Sequence, residues 1–258
     1  MAKIHPTAIV ESSAVLADDV EIGAYAYIGK DVKLGAGSIV AHHATVDGLT
    51  IMGENNQVYP YAFVGGKTHD LKNVGGDPGL VIGNNNVFRE YTTVHLATKE
   101  GENTVIGNNN NFLAYSHVAH DCIVGNHVLM SSHAALAGHV VVDDHAVIAW
   151  GSGSHQFSRI GKYAMVSAMT KQVKDLPPYF ISDGNPASVC AINKINMQRN
   201  GFSVEEINTA YSAFKLIYKR RLSRSNAIAE LKLRDDVNSR VIQDLLAFME
   251  APSERGLA

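Results

Sequence analysis

Between Ala114 and Asn126 the chain reads Ala-Tyr-Ser-His-Val-Ala-His-Asp-Cys-Ile-Val-Gly-Asn, which sets His117, His120 and Asp121 among small and aliphatic residues. Imidazole titrates near neutral pH, so a histidine here can take a proton from an alcohol without being permanently charged. Asp121 follows His120 directly and can orient the ring or stabilise the imidazolium. Gly138, just before His139, can turn a backbone N–H toward a developing oxyanion. No G-x-S-x-G elbow occurs, which favours direct attack by a substrate hydroxyl over an acyl-enzyme.

The elements that hold these residues repeat every six positions. From Ile4 the steps fall on Val10, Leu16, Ile22, Ile28, Leu34, Val40, Val46, Met52, Val58 and Val64 without a miss. The frame returns at Ile82, Phe88 and Val94, again from Ile106 through Ile148, and at Ile160 and Val166. A period of six is neither helical nor simply alternating, and it is the hexapeptide signature of a parallel β-helix. Gly65–Gly79 and Leu96–Asn103 break the frame and are expected to be loops, where a rigid solenoid carries its binding residues. Ser154 and Gln172 put polar side chains at corner positions, so the coil is expected to distort there.

The repeat ends after Pro177-Pro178-Tyr179, and Gly184–Ala187 is a turn. A helix is predicted from Ser203, with Glu206 completing a capping box and Ile207, Ala210, Tyr211, Phe214, Ile217 and Tyr218 forming its apolar stripe. Further helices are predicted near 226–233 and 236–249. The expected organisation is all-β plus α: a β-helix over residues 1–186, with loops at 65–79 and 96–103, and a helical domain over 187–258 that covers its open end.

His120 and His139 are 19 residues apart, and His139 and His155 are 16 apart. On coils of about 18 residues this predicts that all three lie near one edge on successive turns. A lone histidine is usually a surface or hydrogen-bonded residue; three aligned ones point to a site. A metal is the rival to general-base chemistry, because histidine is the commonest ligand. The β-helical carbonic anhydrases bind zinc through histidines five apart, but the position five after His117 is Cys122, and no such pair occurs in the chain. No metal and no organic cofactor is therefore expected.

Composition narrows the class further. In 258 residues, 46% hydrophobic and 18% charged, the balance suits a globular protein with a real core. A net charge of −3 offers no electrostatic reason for nucleic acid to be a partner. Two cysteines, Cys122 and Cys190, form no disulfide framework, and the start lacks a signal peptide's apolar core. No apolar run approaches the ~18 residues a membrane helix needs, so a cytoplasmic protein without a membrane span is expected.

At these residues the sequence resembles the acyl-ACP:UDP-N-acetylglucosamine O-acyltransferase family, whose members open lipid A biosynthesis. The resemblance spans nearly the whole chain. Its specific motifs are Asp70-Leu71-Lys72, His117-Val-Ala-His120-Asp121, Leu136-Ala-Gly138-His139-Val140, His155-Gln156-Phe157, Pro177-Pro178-Tyr179 and Arg199 before Gly201-Phe202-Ser203. It implies a left-handed parallel β-helix assembled as a homotrimer, with active sites in the clefts between neighbours. It implies that His120 is the general base supported by Asp121, and that the Gly138 N–H stabilises the tetrahedral intermediate. The sugar 3-hydroxyl would attack the thioester of an (R)-3-hydroxyacyl group on acyl carrier protein.

By the same resemblance, Asp70 and Lys72 hold the glucosamine, and His117, His139, His155 and Gln156 line the cleft. Asn193 and Arg199 grip the nucleotide, and an arginine suits pyrophosphate by charge and fork geometry. Ala168 floors the groove that sets acyl length, and alanine suggests the longer end. His69, the run Val94-His95-Leu96-Ala97-Thr98 and Ile195 depart from the family's usual residues near the acceptor. They leave open the 3-amino analogue of the sugar nucleotide as acceptor. Another hexapeptide acyltransferase, or a non-catalytic β-helix protein, are the further alternatives. Lys215, Lys219, Arg220, Arg221 and Arg224 form a basic stretch that could dock the acidic carrier protein, or simply be a solvated helix face.

Overall fold

The computed structural model describes residues 1–73, 75–220 and 222–258. Short strands, mostly of two residues, stack in parallel into the three faces of a prism, a left-handed β-helix. The second residue of each strand points inward. Val118, Leu136, Val142 and Ile148 are fully or almost fully buried, as are Phe88 and Phe112, whose rings stack at 5.0 Å. This column of apolar side chains is the core that the period of six describes.

The spacing between stacked residues records where chain is extruded. Asn110 and Val128 stack at a separation of 18, Asn86 and Asn110 at 24, and Asn56 and Asn86 at 30. Both excursions leave the prism at one corner. The first joins strand Phe63–Gly66 to Gly79–Ile82, and the second joins Thr93–His95 to Asn103–Ile106. On later coils that same corner joins His117–Val118 to Ile123–Val124 and Ala135–Leu136 to Val141–Val142. The loops thus share one edge with His120, His139 and His155.

The other two corners carry stacked rings. Tyr61, Tyr91, Tyr115 and His133 form one column, with centroids 4.9–5.2 Å apart. His127, His145, Tyr163 and Tyr179 form the other.

Ser154 and Gln172 do not distort the coil as expected. The register Ala135–Gly153–Lys171 runs straight through them. Gln172 is satisfied internally: its amide donates to the Lys174 carbonyl (2.6 Å) and accepts from Ser182 Oγ (2.6 Å). Serine is small enough to fit without a shift, although its buried Oγ has no partner among the described residues.

The hairpin Phe180–Gly184/Ala187–Ile192 carries the chain from the last coil across residue 186 into the tail. Among the described residues four α-helices follow: α1 (Lys194–Arg199), α2 (Val204–Phe214), α3 (Arg224–Lys232) and α4 (Arg240–Glu250). The capping box at Ser203 and Glu206 forms as predicted. Helix α1 was not anticipated, and α4 begins later than expected because Ser239 caps it. Tyr211, expected in the buried stripe, is 47% exposed and lies under Lys215 Nζ at 4.3 Å. Phe214 and Tyr218 pack edge-on against Phe180, so the tail covers the end of the prism. Lys162 and Tyr179 both bond Asp244, which holds α4 along the side.

Candidate active site

His120 and Asp121 form the turn at the loop corner, with Asp121 in the left-handed region (φ 59°). His120 Nδ1 lies 2.7 Å from Asp121 Oδ2, and their side chains are only 14% and 7% exposed. Thr98, from the second loop, donates its backbone N–H to Oδ1 (3.0 Å) and its hydroxyl to Oδ2 (2.7 Å). The Asp121 N–H in turn donates to Thr104 Oγ1 at 2.9 Å. Burial would push the Asp121 carboxyl up, but the hydrogen bonds from His120 and Thr98 outweigh it and hold the group below its usual range. An ionised Asp121 can only accept, so His120 carries its proton on Nδ1 and leaves Nε2 with a lone pair.

Gly138 lies one coil above. A Cβ placed on it would come within 2.4 Å of His120 Cε1 and 2.6 Å of Nε2. The basic edge of the imidazole therefore rests against bare backbone. The Gly138 N–H donates to no protein acceptor among the described residues. A reacting carbonyl here would meet a base and a hydrogen-bond donor together, the arrangement acyl transfer needs. Gly138→Ala must displace the ring, and we expect it to lower kcat by about tenfold to 10²-fold with the melting temperature little changed. Steady-state kinetics beside a thermal melt checks this; wild-type kcat would show that the ring does not sit on Gly138 during turnover.

His139 occupies the corner between Asp121 and Phe157. Its ring stacks on Phe157 (4.5 Å, 7°), meets His120 edge-on (5.4 Å, 90°) and brings Nε2 to 3.5 Å from Asp121 Oδ2. His120, His139 and His155 share this corner on successive coils, as their spacing predicts, and the stacked column within it is Asp121–His139–Phe157. His155 sits two positions short of Phe157, with Nδ1 against the Gln156 carbonyl (3.2 Å), and Gln156 is exposed.

The first loop brings Asp70 to the same place. Ligand atoms of Asp70, His120 and His139 all lie within 4.8 Å of one another. The loop is tied down by Thr68 Oγ1, which bonds Thr98 Oγ1 (3.0 Å) and accepts the Asp70 N–H (3.1 Å). Asp70 Oδ1 accepts the Lys72 N–H at 2.9 Å, and the Lys72 side chain is exposed.

His117 faces outward from its strand, and its Nδ1 bonds Thr93 Oγ1 (2.8 Å). Burial, with smaller contributions from neighbouring histidines, pushes it down to about 4, so it stays neutral near pH 7. His95 lies beside it, buried, with Nδ1 donating to the Lys67 carbonyl (2.6 Å), and burial lowers its pKa too. His69 packs against His95 at 3.9 Å. Sequence reasoning noted His95 and Thr98 only as part of an unusual run and passed over Thr68. The signal available was that Val94 stacks on Val118 once the second loop is discounted.

The remaining expected site residues lie elsewhere in the protomer. Asn193 is buried as the N-cap of α1, and its amide donates to the Tyr163 carbonyl (2.9 Å). Arg199 is exposed in the last turn of α1, which is anchored by Asn196 Nδ2 to the His145 carbonyl (2.8 Å). Both belong to the His145–Tyr163 corner, a whole prism face away from His120. Ala168 is exposed at the third corner, next to Met169. Between that corner and the His120 corner, the strand face runs outward from His117 through Ala135 and Gly153, and a Cβ on Gly153 would meet nothing within 4 Å.

Residues 175–258 match the family model described as UDP N-acetylglucosamine O-acyltransferase, domain 2, and residues 13–48 match that of the bacterial transferase hexapeptide. The acyl-[acyl-carrier-protein]–UDP-N-acetylglucosamine O-acyltransferase of Burkholderia lata is 41% identical over 100% of this chain and 99% of its own. Its namesake from Thermodesulfovibrio yellowstonii is 40% identical with the same coverage. Among solved structures, LpxA from Acinetobacter baumannii superposes with a TM-score of 0.95 at 40% identity, covering 99% of each chain. The UDP-N-acetylglucosamine acyltransferase of Francisella novicida gives 0.94 at 34% identity, over 98% of this chain and 93% of its own.

Proposed function

The chain belongs to the acyl-[acyl-carrier-protein]–UDP-N-acetylglucosamine O-acyltransferases, and from that premise we propose how its own residues carry the reaction that opens lipid A biosynthesis. An (R)-3-hydroxyacyl group passes from the carrier-protein thioester to the sugar 3-hydroxyl. His120 Nε2 takes the hydroxyl proton as the oxygen attacks the thioester carbon. Asp121, ionised and fixed on Nδ1, stabilises the imidazolium. The Gly138 N–H receives the oxyanion; when the tetrahedral intermediate collapses, the C–S bond breaks and the thiolate recovers the proton from His120. The observation that carries this reading is the contact of His120 with both Asp121 Oδ2 and the bare backbone of Gly138.

Asp70 and Lys72 hold the sugar, with His117, His139, His155 and Gln156 around it, and the open strand face past Ala135 and Gly153 toward Ala168 takes the acyl chain. The free thiols of Cys122 and Cys190 fit the reducing cytoplasm; no described helix is long and apolar enough to cross a membrane.

The assembly is a homotrimer in this reading, because one protomer does not hold a whole site. Arg199 and Asn193 stand on a different corner from His120. The face between these corners carries an outward ladder, Ile51, Val81, Val105, Ile123 and Val141. Ile123 is 50% exposed in the single chain, and a stripe of this kind marks a subunit contact. A neighbour packed there brings its Arg199 to the His120 cleft.

Two residues of the basic stretch bond within the tail itself. Arg224 donates to the Met249 and Ala251 carbonyls at the end of α4, and Arg220 pairs with Glu230 at 3.0 Å. Arg221 lies outside the described residues. Lys215 and Lys219 remain as exposed cations for the acidic carrier protein.

Transfer from a ladder of (R)-3-hydroxyacyl carrier proteins to UDP-N-acetylglucosamine and to its 3-amino analogue tests the reading. Turnover with the parent sugar, peaking at one acyl length that shortens when Ala168 is enlarged, is the expected outcome. Turnover with the amino sugar alone would move the acceptor assignment, and His69 and His95 would be the residues responsible.

A further inference from the structure

Apart from the acyl-transfer chemistry, the geometry points to a second ligand for the same cleft. We propose that Asp70, His120 and His139 form a site for a divalent transition-metal ion such as Zn²⁺, and that filling it switches the enzyme off. Two imidazoles and one carboxylate from three separate stretches of chain place their donor atoms within 4.8 Å of one another. Ligands on a tetrahedral zinc with bonds near 2.0–2.1 Å stand about 3.4 Å apart. Drawing the three donor atoms in from that limit takes small side-chain rotations of the imidazoles as well as of Asp70, which rides on an extruded loop.

The surroundings supply what such a site needs beyond ligands. A metal-bound histidine commonly gives its other ring N–H to a carboxylate, which fixes the ring and raises its basicity. Asp121 already does this for His120 at 2.7 Å and lies 3.5 Å from His139 Nε2. Phe157 holds the His139 ring flat at 4.5 Å. Asp70 and Asp121 bring two carboxylates to the two imidazoles. Nitrogen-rich N,N,O donor sets favour Zn²⁺, Co²⁺ or Ni²⁺ over Mg²⁺ or Ca²⁺. A search for His-x4-His spacing cannot find the trio, because it exists only through the first loop's return to the His120 corner.

Switching follows from shared atoms. The lone pair that binds the ion is the one that accepts the substrate proton, so the ion and turnover exclude one another. That consequence, unlike the ion site itself, rests on His120 being the base.

The test uses the full-length protein and Zn²⁺ in competition with a chromophoric chelator, with Co²⁺ absorption reporting coordination. We expect one high-affinity equivalent per protomer, weakened at least about tenfold by Asp70→Asn and by His139→Gln. It should be untouched by His42→Gln, which disrupts the exposed pair His42 Nδ1···His43 Nδ1 (3.0 Å) remote from the cleft. Transfer assays should show inhibition by Zn²⁺ that a chelator reverses. Equal affinity in wild type, Asp70→Asn and His139→Gln would overturn the site, as would a loss of affinity on His42→Gln. Binding at the trio with transfer unimpaired would keep the ion site and overturn the assignment of His120 as base.

Discussion

His120→Ala is expected to lower kcat by about 10²–10⁴-fold, the range general-base removal usually costs, while the protein stays folded. The fold should survive because the residue lies at a corner and contributes nothing to the apolar column. Its carboxylate partner is not left bare: Asp121 keeps the N–H and hydroxyl of Thr98. KM for the sugar nucleotide should move far less than kcat, since the imidazole acts on a proton in flight. Truncation also leaves a ring-sized gap over Gly138, so added imidazole should restore part of the rate. Asp121→Asn gives the complementary result. An amide can donate toward Nδ1, which favours the tautomer with the proton on Nε2, and activity should fall with the structure intact. Retention of wild-type kcat by His120→Ala would remove the mechanism proposed here, whatever the family.

How much of this was readable from the chain alone depends on how far apart the interacting residues are. The prism was legible because its rule is local: each inward aliphatic predicts the next one six residues on, and a break at Gly65 or Leu96 announces an excursion. What the break does not say is where the excursion returns. Only because both loops leave by the His120 corner can Thr98 bond Asp121 and Asp70 approach His139. Spacing arguments also carry tolerances too coarse for side chains. A frame of about 18 residues brings His120, His139 and His155 to one corner, but it does not say that the two-residue offset of His155 gives the stacking place on His139 to Phe157.

Polar residues at inward positions misled in the opposite direction. Ser154 and Gln172 looked like faults in the coil, yet Ser182, brought over by the last turn, satisfies Gln172. Hydrogen-bond partners of this kind are not encoded near the residue that needs them. Tyr211 fell on the helical stripe by period alone, and the stripe's edge is where periodicity decides least. Family resemblance supplied the roles of Asp70, Arg199 and Ala168, which no periodicity could. It did not reveal that Arg199 and His120 stand on different corners of one protomer.

That separation makes its own prediction, and a large one. If each active site joins the His120 corner of one protomer to the Arg199 helix of the next, neither His120→Ala nor Arg199→Ala homotrimers should transfer acyl groups efficiently. Losing the arginine removes a charge-assisted contact to phosphate worth about 1.5–3 kcal/mol, roughly ten- to 150-fold in affinity for the sugar nucleotide. Co-assembling the two variants in equal amounts lets a protomer with an intact His120 sit beside one with an intact Arg199. A random mixture creates that pairing at about one site in four, so about a quarter of wild-type activity should return from two nearly inactive parents. Activity no greater than the average of the parents would place His120 and Arg199 in the same protomer's site, which would require the exposed end of α1 to cross a whole prism face. Recovery to a quarter would mean that the apolar ladder from Ile51 to Val141 is the surface on which a neighbour completes the site, so that dissociation, with no change in any catalytic residue, would be enough to silence the enzyme.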